Sequence, residues 1–120
     1  MSVKIVRKGE AEVKTILGGP ITVYCTPKTV GSKQLVFVLG SFSPGEGLDP
    51  HIHPESEEVY YIIAGNGIVY AGEEKKEIAL EAGMALYIPA GTQHYVRNTG
   101  TEKLVIGFAL SPGTEESKEI

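Results

Sequence analysis

The sequence predicts an all-β protein, and three observations lead to this fold class. Fifteen glycines and seven prolines interrupt the 120 residues at short intervals, as turns do between short strands. The stretches between them are rich in valine, isoleucine, tyrosine, phenylalanine and leucine, which favour strands. No stretch keeps a helical period over three turns. Many short strands without an internal repeat indicate a β-sandwich or a closed barrel.

Nine strands are predicted from these runs of β-favouring residues. Asn66-Gly67 predicts a tight hairpin turn, because these residue types readily adopt a positive φ, and Gly72-Glu73-Glu74 is predicted to close the next hairpin. In chain order the predicted strands are Val3 to Val6, Ile21 to Cys25, Gln34 to Phe42, Glu57 to Ala64, Gly67 to Ala71, Glu77 to Leu80, Met84 to Ile88, Gln93 to Asn98 and Lys103 to Leu110.

Length, composition and charge restrict the organisation and the partners of the protein. A chain of 120 residues, 42% of them hydrophobic, is long enough for one core. One domain is therefore predicted over residues 1–110, followed by a mobile C-terminal tail over residues 111–120. A net charge of -4 argues against nucleic acid as a partner. No apolar run reaches the roughly twenty residues of a membrane helix, and one cysteine with no signal-like N-terminal segment predicts a cytoplasmic location.

Two of the three histidines form the sequence His51-Ile52-His53. On a strand, residues two positions apart project from the same face, so both imidazoles could converge on one metal ion. The next predicted strand offers Glu57 and Glu58 as carboxylate ligands. Both faces of that strand are otherwise apolar, and alternation alone does not choose between the two glutamates.

Two longer spacing patterns resemble the two conserved motifs of the cupin superfamily. The first is Gly45, five residues, His51-x-His53, four residues, Glu58, six residues, Gly65; the second is Gly83, five residues, Pro89-x-Gly91, two residues, His94, three residues, Asn98. Both match the family pattern without departure, and the spacing to Gly65 selects Glu58. The resemblance is to small cupins of the quercetin-dioxygenase type.

The resemblance implies a jelly-roll β-barrel, also called a double-stranded β-helix, with one metal ion inside it. His51, His53, Glu58 and His94 would be the ligands. Three imidazoles and one carboxylate suit a divalent Fe, Mn, Ni, Co or Zn ion and leave coordination positions open for a substrate. The family glycines and Pro89 are expected to shape turns, and Asn98 is expected to hold backbone rather than metal.

Tyr60 is the candidate catalytic residue. It lies two positions after Glu58 on the same predicted strand, so it should also point inward, where a phenol could take part in proton transfer. Similar cupin lyases use an inward tyrosine in this way. The alternative is that Tyr60 is a packing aromatic of the core.

The opposite face of that strand carries Val59, Tyr61 and Ile63. A strand that is apolar on both faces is typically covered on both, and a small barrel has only one interior. We therefore expect the outer face to contact a second copy of the chain in a homodimer. Cupins of this size are similar in often forming homodimers.

The sequence favours a metal-dependent enzyme that acts on a small oxygenated organic molecule, with a dioxygenase as the first hypothesis. The same ligands occur in cupin lyases, isomerases and decarboxylases. A binding module for a sugar or a small acid, without catalysis, is the alternative from another class.

Overall fold

The computed structural model describes residues 2–113 and 118–120. Within these residues the strands are β1 (Glu12–Ile16), β2 (Gly19–Cys25), β3 (Val36–Phe42), β4 (Gly47–Ile52), β5 (Glu57–Ala64), β6 (Asn66–Ala71), β7 (Lys76–Glu81), β8 (Ala85–Ile88), β9 (His94–Arg97), β10 (Leu104–Ser111) and β11 (Lys118–Glu119). A short 3-10 helix, Lys8–Glu10, precedes β1, and one helical turn, α1 (Pro27–Val30), follows β2.

The strands form two antiparallel sheets that face each other. One has the order β1-β2-β3-β10-β5-β8, and the other has the order β11-β4-β9-β6-β7. Strands that are distant in sequence therefore lie side by side, as β3, β10 and β5 do. This arrangement is the jelly-roll β-barrel of the cupins, and it confirms the predicted fold class.

The apolar core lies between the inward faces of the two sheets. Strand β5 shows how alternation builds it, because Tyr60 and Ile62 are completely buried while Val59 and Tyr61 are exposed. Removal of such side chains from water is the main favourable contribution to folding. The buried apolar residues are Ile21, Phe42, Leu48, Tyr60, Ile62, Val69, Leu80, Leu86, Ile88, Val96, Leu104, Ile106 and Phe108.

The short helix α1 is formed by local capping. Thr26 precedes it, and its hydroxyl accepts a hydrogen bond of 3.2 Å from the amide of Thr29, which satisfies a donor that the first turn leaves unpaired. Pro27 occupies the first helical position, where its missing N–H costs nothing. Gly31 ends the turn with a φ of 71°, a value that glycine adopts without strain.

One predicted strand is absent from the described residues, and two observed strands were not predicted. Val3 to Val6 is not a strand, because no strand of the described residues pairs with it and β-favouring residues need a partner. Strand β1 was not expected, since it is a mostly exposed, charged edge strand held by pairing with β2. Strand β4 was also not expected, because it contains Pro50; its ladder with β9 is shifted between Leu48 and His51, where an irregularity tolerates proline.

The predicted hairpin at Asn66-Gly67 is wrong. Strand β5 pairs with β8 and β10, whereas β6 pairs with β7 and β9. The chain crosses from one sheet to the other here, and Gly65, with a φ of 86°, makes the crossing. The next predicted hairpin is confirmed, since β6 and β7 pair around Gly72.

The predicted tail differs from the structure at both of its ends. Strand β10 extends to Ser111, and Lys118–Glu119 pair with Ile52 and His51 of β4. Residues 114–117 of the predicted tail lie outside the described residues. Among the residues that are described, no helix has the length and hydropathy needed to span a membrane.

Candidate metal centre

The four predicted ligands come together inside the barrel. His51, His53, Glu58 and His94 each offer one ligand atom, and these atoms all lie within 4.8 Å of one another. All four residues are buried, with between 1% and 6% of their surface exposed. Glu57 is exposed and accepts a hydrogen bond of 2.5 Å from the hydroxyl of Tyr87. Of the two candidate glutamates, the structure thus brings only Glu58 to the histidines.

Both sheets contribute to this cluster. His51 on β4 and His94 on β9 are direct partners across one ladder, and His53 follows the end of β4. Gly47 allows β4 to lie close to β9, because a Cβ atom there would overlap the carbonyl of Val96. Glu58 reaches the histidines from β5 in the opposite sheet. Packing of the two sheets therefore completes the donor set.

Backbone carbonyls set the orientation of two imidazoles. His51 Nδ1 lies 2.7 Å from the carbonyl oxygen of Asp49, and His94 Nδ1 lies 2.9 Å from that of Thr92. A carbonyl oxygen can only accept, so each Nδ1 must carry the proton. The Nε2 lone pair is then the one that each ring can offer to a metal. Second partners of this kind are usual for metal-binding histidines.

The spacing of the donor atoms fits a single ion. Glu58 Oε1 lies 3.2 Å from His94 Nε2 and 3.4 Å from His53 Nε2. Two donors that are each about 2.1 Å from one ion and subtend a right angle are about 3 Å apart. A mixed nitrogen and oxygen set of this size suits a divalent transition metal. The residues present therefore fit the metal that the sequence predicts.

Burial and neighbouring side chains shift the pKa of two residues of the cluster, His51 and Glu58. Burial, with the nearby His94, lowers the pKa of His51 from 6.5 to about 4, so its imidazole is neutral at pH 7. Burial alone would raise the pKa of Glu58, but the imidazoles of His53 and His94 beside the carboxylate outweigh it and the net pKa is lowered. Glu58 is thus a carboxylate. Neutral imidazole and ionised carboxylate are the forms that bind metals.

Tyr60 points inward, as predicted, but it is packed into the core. It is completely buried, with its ring centroid 4.6 Å from that of Phe108 and 5.9 Å from that of His94. Its hydroxyl has no hydrogen-bond partner among the described residues. Burial and the charge of Glu58 raise the pKa of Tyr60 well above 10, which keeps the phenol neutral at pH 7.

A cavity of about 1020 Å³ connects the cluster with the surface. Three of the four candidate ligands, His51, His53 and Glu58, line it, whereas Tyr60 is not among its lining residues. Cavities that take drug-sized ligands measure about 300 to 1,000 Å³. A substrate could therefore approach the candidate ligands without rearrangement of the barrel.

Comparisons with known proteins agree with this geometry. The cupin domain family model matches residues 38–111. The chain is 33% identical to the polyketide synthase CurC of Streptomyces cyaneus, over 93% of this chain and 71% of that protein. The chain belongs to the cupin family. The oxalate-binding protein of Thermotoga maritima is 27% identical, over 81% of this cupin and 72% of that protein.

A solved structure supports the fold of this cupin. The polyketide cyclase RemF of Streptomyces resistomycificus superimposes with a TM-score of 0.81, over 99% of this chain and 86% of that chain, at 16% identity. At this level of identity the likeness concerns the fold alone.

Sequence reasoning missed the parts of the site that are made of backbone or of distant strands. The carbonyls of Asp49 and Thr92, which orient two imidazoles, carry no residue-type signal. The wall of the cavity includes residues of β1, β2, α1, β3 and β10, whose proximity to the ligands depends on the topology. Asn98 behaves as expected, because its side-chain amide donates to the carbonyls of Phe42 and Glu102 at 2.9 and 2.8 Å.

Proposed function

We propose that this cupin is a metal-dependent enzyme that acts on a small oxygenated organic molecule. One observation carries the proposal: three imidazoles and one carboxylate are buried together at a cavity large enough for a substrate. A purely structural metal site is closed by its ligands, whereas a catalytic site keeps positions open. The four donors of this chain leave positions open on a six-coordinate ion.

His51, His53, Glu58 and His94 would hold one divalent ion, Fe, Mn, Ni, Co or Zn. When bound, such an ion supplies Lewis acidity to the oxygen atoms of a substrate. The protein keeps His51 as a neutral imidazole and Glu58 as a carboxylate, the forms that bind a metal. It also fixes the direction of two imidazoles through Asp49 and Thr92.

The chemistry that we favour for the bound ion is Lewis-acid catalysis without a change of oxidation state, and His51, His53, Glu58 and His94 would hold the ion beside the carbonyl oxygens of the substrate. Support comes from a relative that is named a polyketide synthase. Polyketides carry several carbonyl oxygens, and their ring closure proceeds through enolates. A dioxygenase remains the prediction from the sequence, although none of the relatives named above is called one.

Tyr60 could assist this chemistry as a proton donor. Its ring lies beside His94, and its hydroxyl has no partner in the described part of the chain, so it is available to a ligand that reaches it. Its raised pKa keeps the hydroxyl protonated at pH 7, so it can donate a hydrogen bond but is not available as a base. The competing role, a packing aromatic, is supported by its contact with Phe108.

A homodimer through the outer face of the six-stranded sheet is part of the proposal. Val59, Tyr61 and Ile63 are 39%, 50% and 47% exposed, and Phe37 on β3 and Tyr87 on β8 extend the same surface. Exposed apolar patches of this kind mark protein interfaces. A second copy of the chain is the natural occupant, because the same patch can pair with itself about a two-fold axis. The cytoplasmic location stays a prediction.

Elemental analysis and an oxygen measurement test this function. Protein purified without a histidine tag should contain about one Fe, Mn, Ni, Co or Zn per chain, and the double variant His51→Ala/His53→Ala should contain none. Metal-loaded protein should then convert members of a panel of 1,3-diketones, keto acids and flavonols without consuming oxygen. Oxygen consumption that tracks turnover would identify a dioxygenase, and full metal content in the double variant would refute the site.

A binding module is the second candidate, since one relative is named an oxalate-binding protein. Micromolar binding of a sugar or a small acid to the metal-loaded protein, with that compound recovered unchanged after prolonged incubation, would support a binding module over an enzyme.

A further inference from the structure

The cavity beside the candidate ligands has two chemically different ends. Its buried end carries His51, His53 and Glu58, while its charged lining residues, Glu10, Glu12, Lys14 and Lys28, are all exposed. The wall in between is apolar. It is lined by Ile21, Val23, Val38, Leu48 and Phe108, among others.

In the part of the chain that the structure describes, no positively charged side chain lies in the cavity interior to pair with an acidic group. Both lysines that line the cavity belong to its exposed mouth, and Lys14 lies 3.9 Å from the carboxylate of Glu12. Among the described residues, no buried arginine or lysine lines the wall. A phosphate or a second carboxylate placed there would lose its hydration without gaining a partner, which is costly. The wall therefore disfavours sugar phosphates and dicarboxylic acids.

The size of the cavity also favours a substrate that is larger and more apolar than a small diacid. A molecule as small as oxalate would leave most of the approximately 1020 Å³ filled by water and would touch little of the apolar wall. A larger apolar body would displace that water and bury its own surface, which is favourable in proportion to the area covered.

We infer that the substrate of this cupin is an apolar, aromatic-sized molecule with its oxygens gathered at one end. The oxygenated end binds beside His51, His53 and Glu58, and the apolar body lies against Val23 and Val38. This inference rests on the proposed function, because the oxygenated end needs the metal-loaded site.

Matched ligands test the inference by calorimetry on Ni²⁺-loaded protein. The compounds 2,4-pentanedione and 1-phenyl-1,3-butanedione share a chelating head and differ by one phenyl ring in place of a methyl group. Burial of the ring should make the second bind roughly 10- to 100-fold more tightly. A carboxylate in the para position of that ring should remove this gain.

A variant of the cavity wall tests where the apolar part of the ligand binds. Val38 and Val23 are register partners on β3 and β2, so Val38→Trp would fill the wall while leaving the metal ligands untouched. It should keep its Ni²⁺ and its affinity for 2,4-pentanedione but lose the gain from the phenyl ring. The ligand series on the unaltered protein decides the question even if this variant does not fold.

The outcomes separate the two proposals. Equal affinities for the two diketones, or an undiminished affinity for the carboxylated one, would overturn the inference about the substrate and leave the metal-dependent function intact. Failure of every diketone to bind protein that holds stoichiometric Ni²⁺ would overturn both.

Discussion

The two faces of strand β5 are built from similar residues but have different roles. The inward face carries Glu58, Tyr60 and Ile62, which are 5%, 0% and 0% exposed. The outward face carries Glu57, Val59, Tyr61 and Ile63, all exposed. Each face thus presents a glutamate and a tyrosine, two residues apart on the inner face and four on the outer face, so composition alone does not distinguish them.

Their surroundings do distinguish them. The inner glutamate meets two imidazoles and has a lowered pKa, while the outer one accepts a hydrogen bond from Tyr87. The inner tyrosine packs between Phe108 and His94, while the outer one lies half-exposed. A shift of one residue in register would exchange the two sets. Pairing with β10 and β8 therefore decides which glutamate is the ligand.

The largest expected effect, on metal binding, comes from replacing each of the two glutamates in turn by glutamine. Glu58→Gln removes the charged donor from the cluster and should abolish stoichiometric metal binding, since a neutral amide oxygen is a much weaker ligand for a transition metal. Glu57→Gln is the matched control and should leave metal content unchanged. Elemental analysis of both variants after dialysis makes the comparison. Equal metal loss in the two variants would contradict the assignment of Glu58.

Truncation of Tyr60 and Tyr61 to alanine should reduce the free energy of unfolding by different amounts, because one is in the core and the other is on the surface. Tyr60→Ala should lower the free energy of unfolding by about 3 to 5 kcal/mol, the range for buried aromatic truncations. Tyr61→Ala should cost less than about 1 kcal/mol in the isolated chain, because half of this residue is already in water. Urea denaturation, at a protein concentration low enough to keep the chain monomeric, measures the free energy of unfolding of both variants. Similar losses would show that the faces do not differ in packing.

A charge on the outer face should break the proposed dimer. Tyr61→Glu would place an unpaired carboxylate in an apolar contact, at a cost of several kcal/mol if it stays ionised. Light scattering should report a monomer for this variant. Ala79→Glu, an exposed position on β7 in the other sheet, is the control and should remain dimeric. A monomeric unaltered protein at high concentration would reject the interface.

The sequence predicted the fold class and the four residues that come together as candidate ligands, because both leave local patterns. Alternation marks strands, and the spacing from His51 to Gly65 and from Gly83 to Asn98 reports the site. It did not predict β4, whose proline and glycine disfavour strands and whose pairing with β9 is a long-range event. It also misplaced a hairpin at Asn66, since a turn signal does not state which strands pair across it. The apolar cavity wall could not be predicted either, because it depends on which strands lie side by side.

The smallest effect on stability is expected from Tyr60→Phe, and this variant decides what the inner tyrosine does. The substitution keeps the ring and its contacts with Phe108 and His94. It removes a buried hydroxyl that has no hydrogen-bond partner among the described residues, so it should leave the free energy of unfolding unchanged or raise it by about 1 kcal/mol.

Activity then separates the two roles of Tyr60. If its hydroxyl donates a proton to the substrate, turnover by the metal-loaded Tyr60→Phe variant should fall by about 100-fold or more. If it only packs the core, turnover should stay within a few-fold of the unaltered protein. The outer pair offers the control, since Tyr61→Phe should change neither stability nor rate. A wild-type rate with full metal content in Tyr60→Phe would exclude the catalytic role and leave the candidate metal site intact.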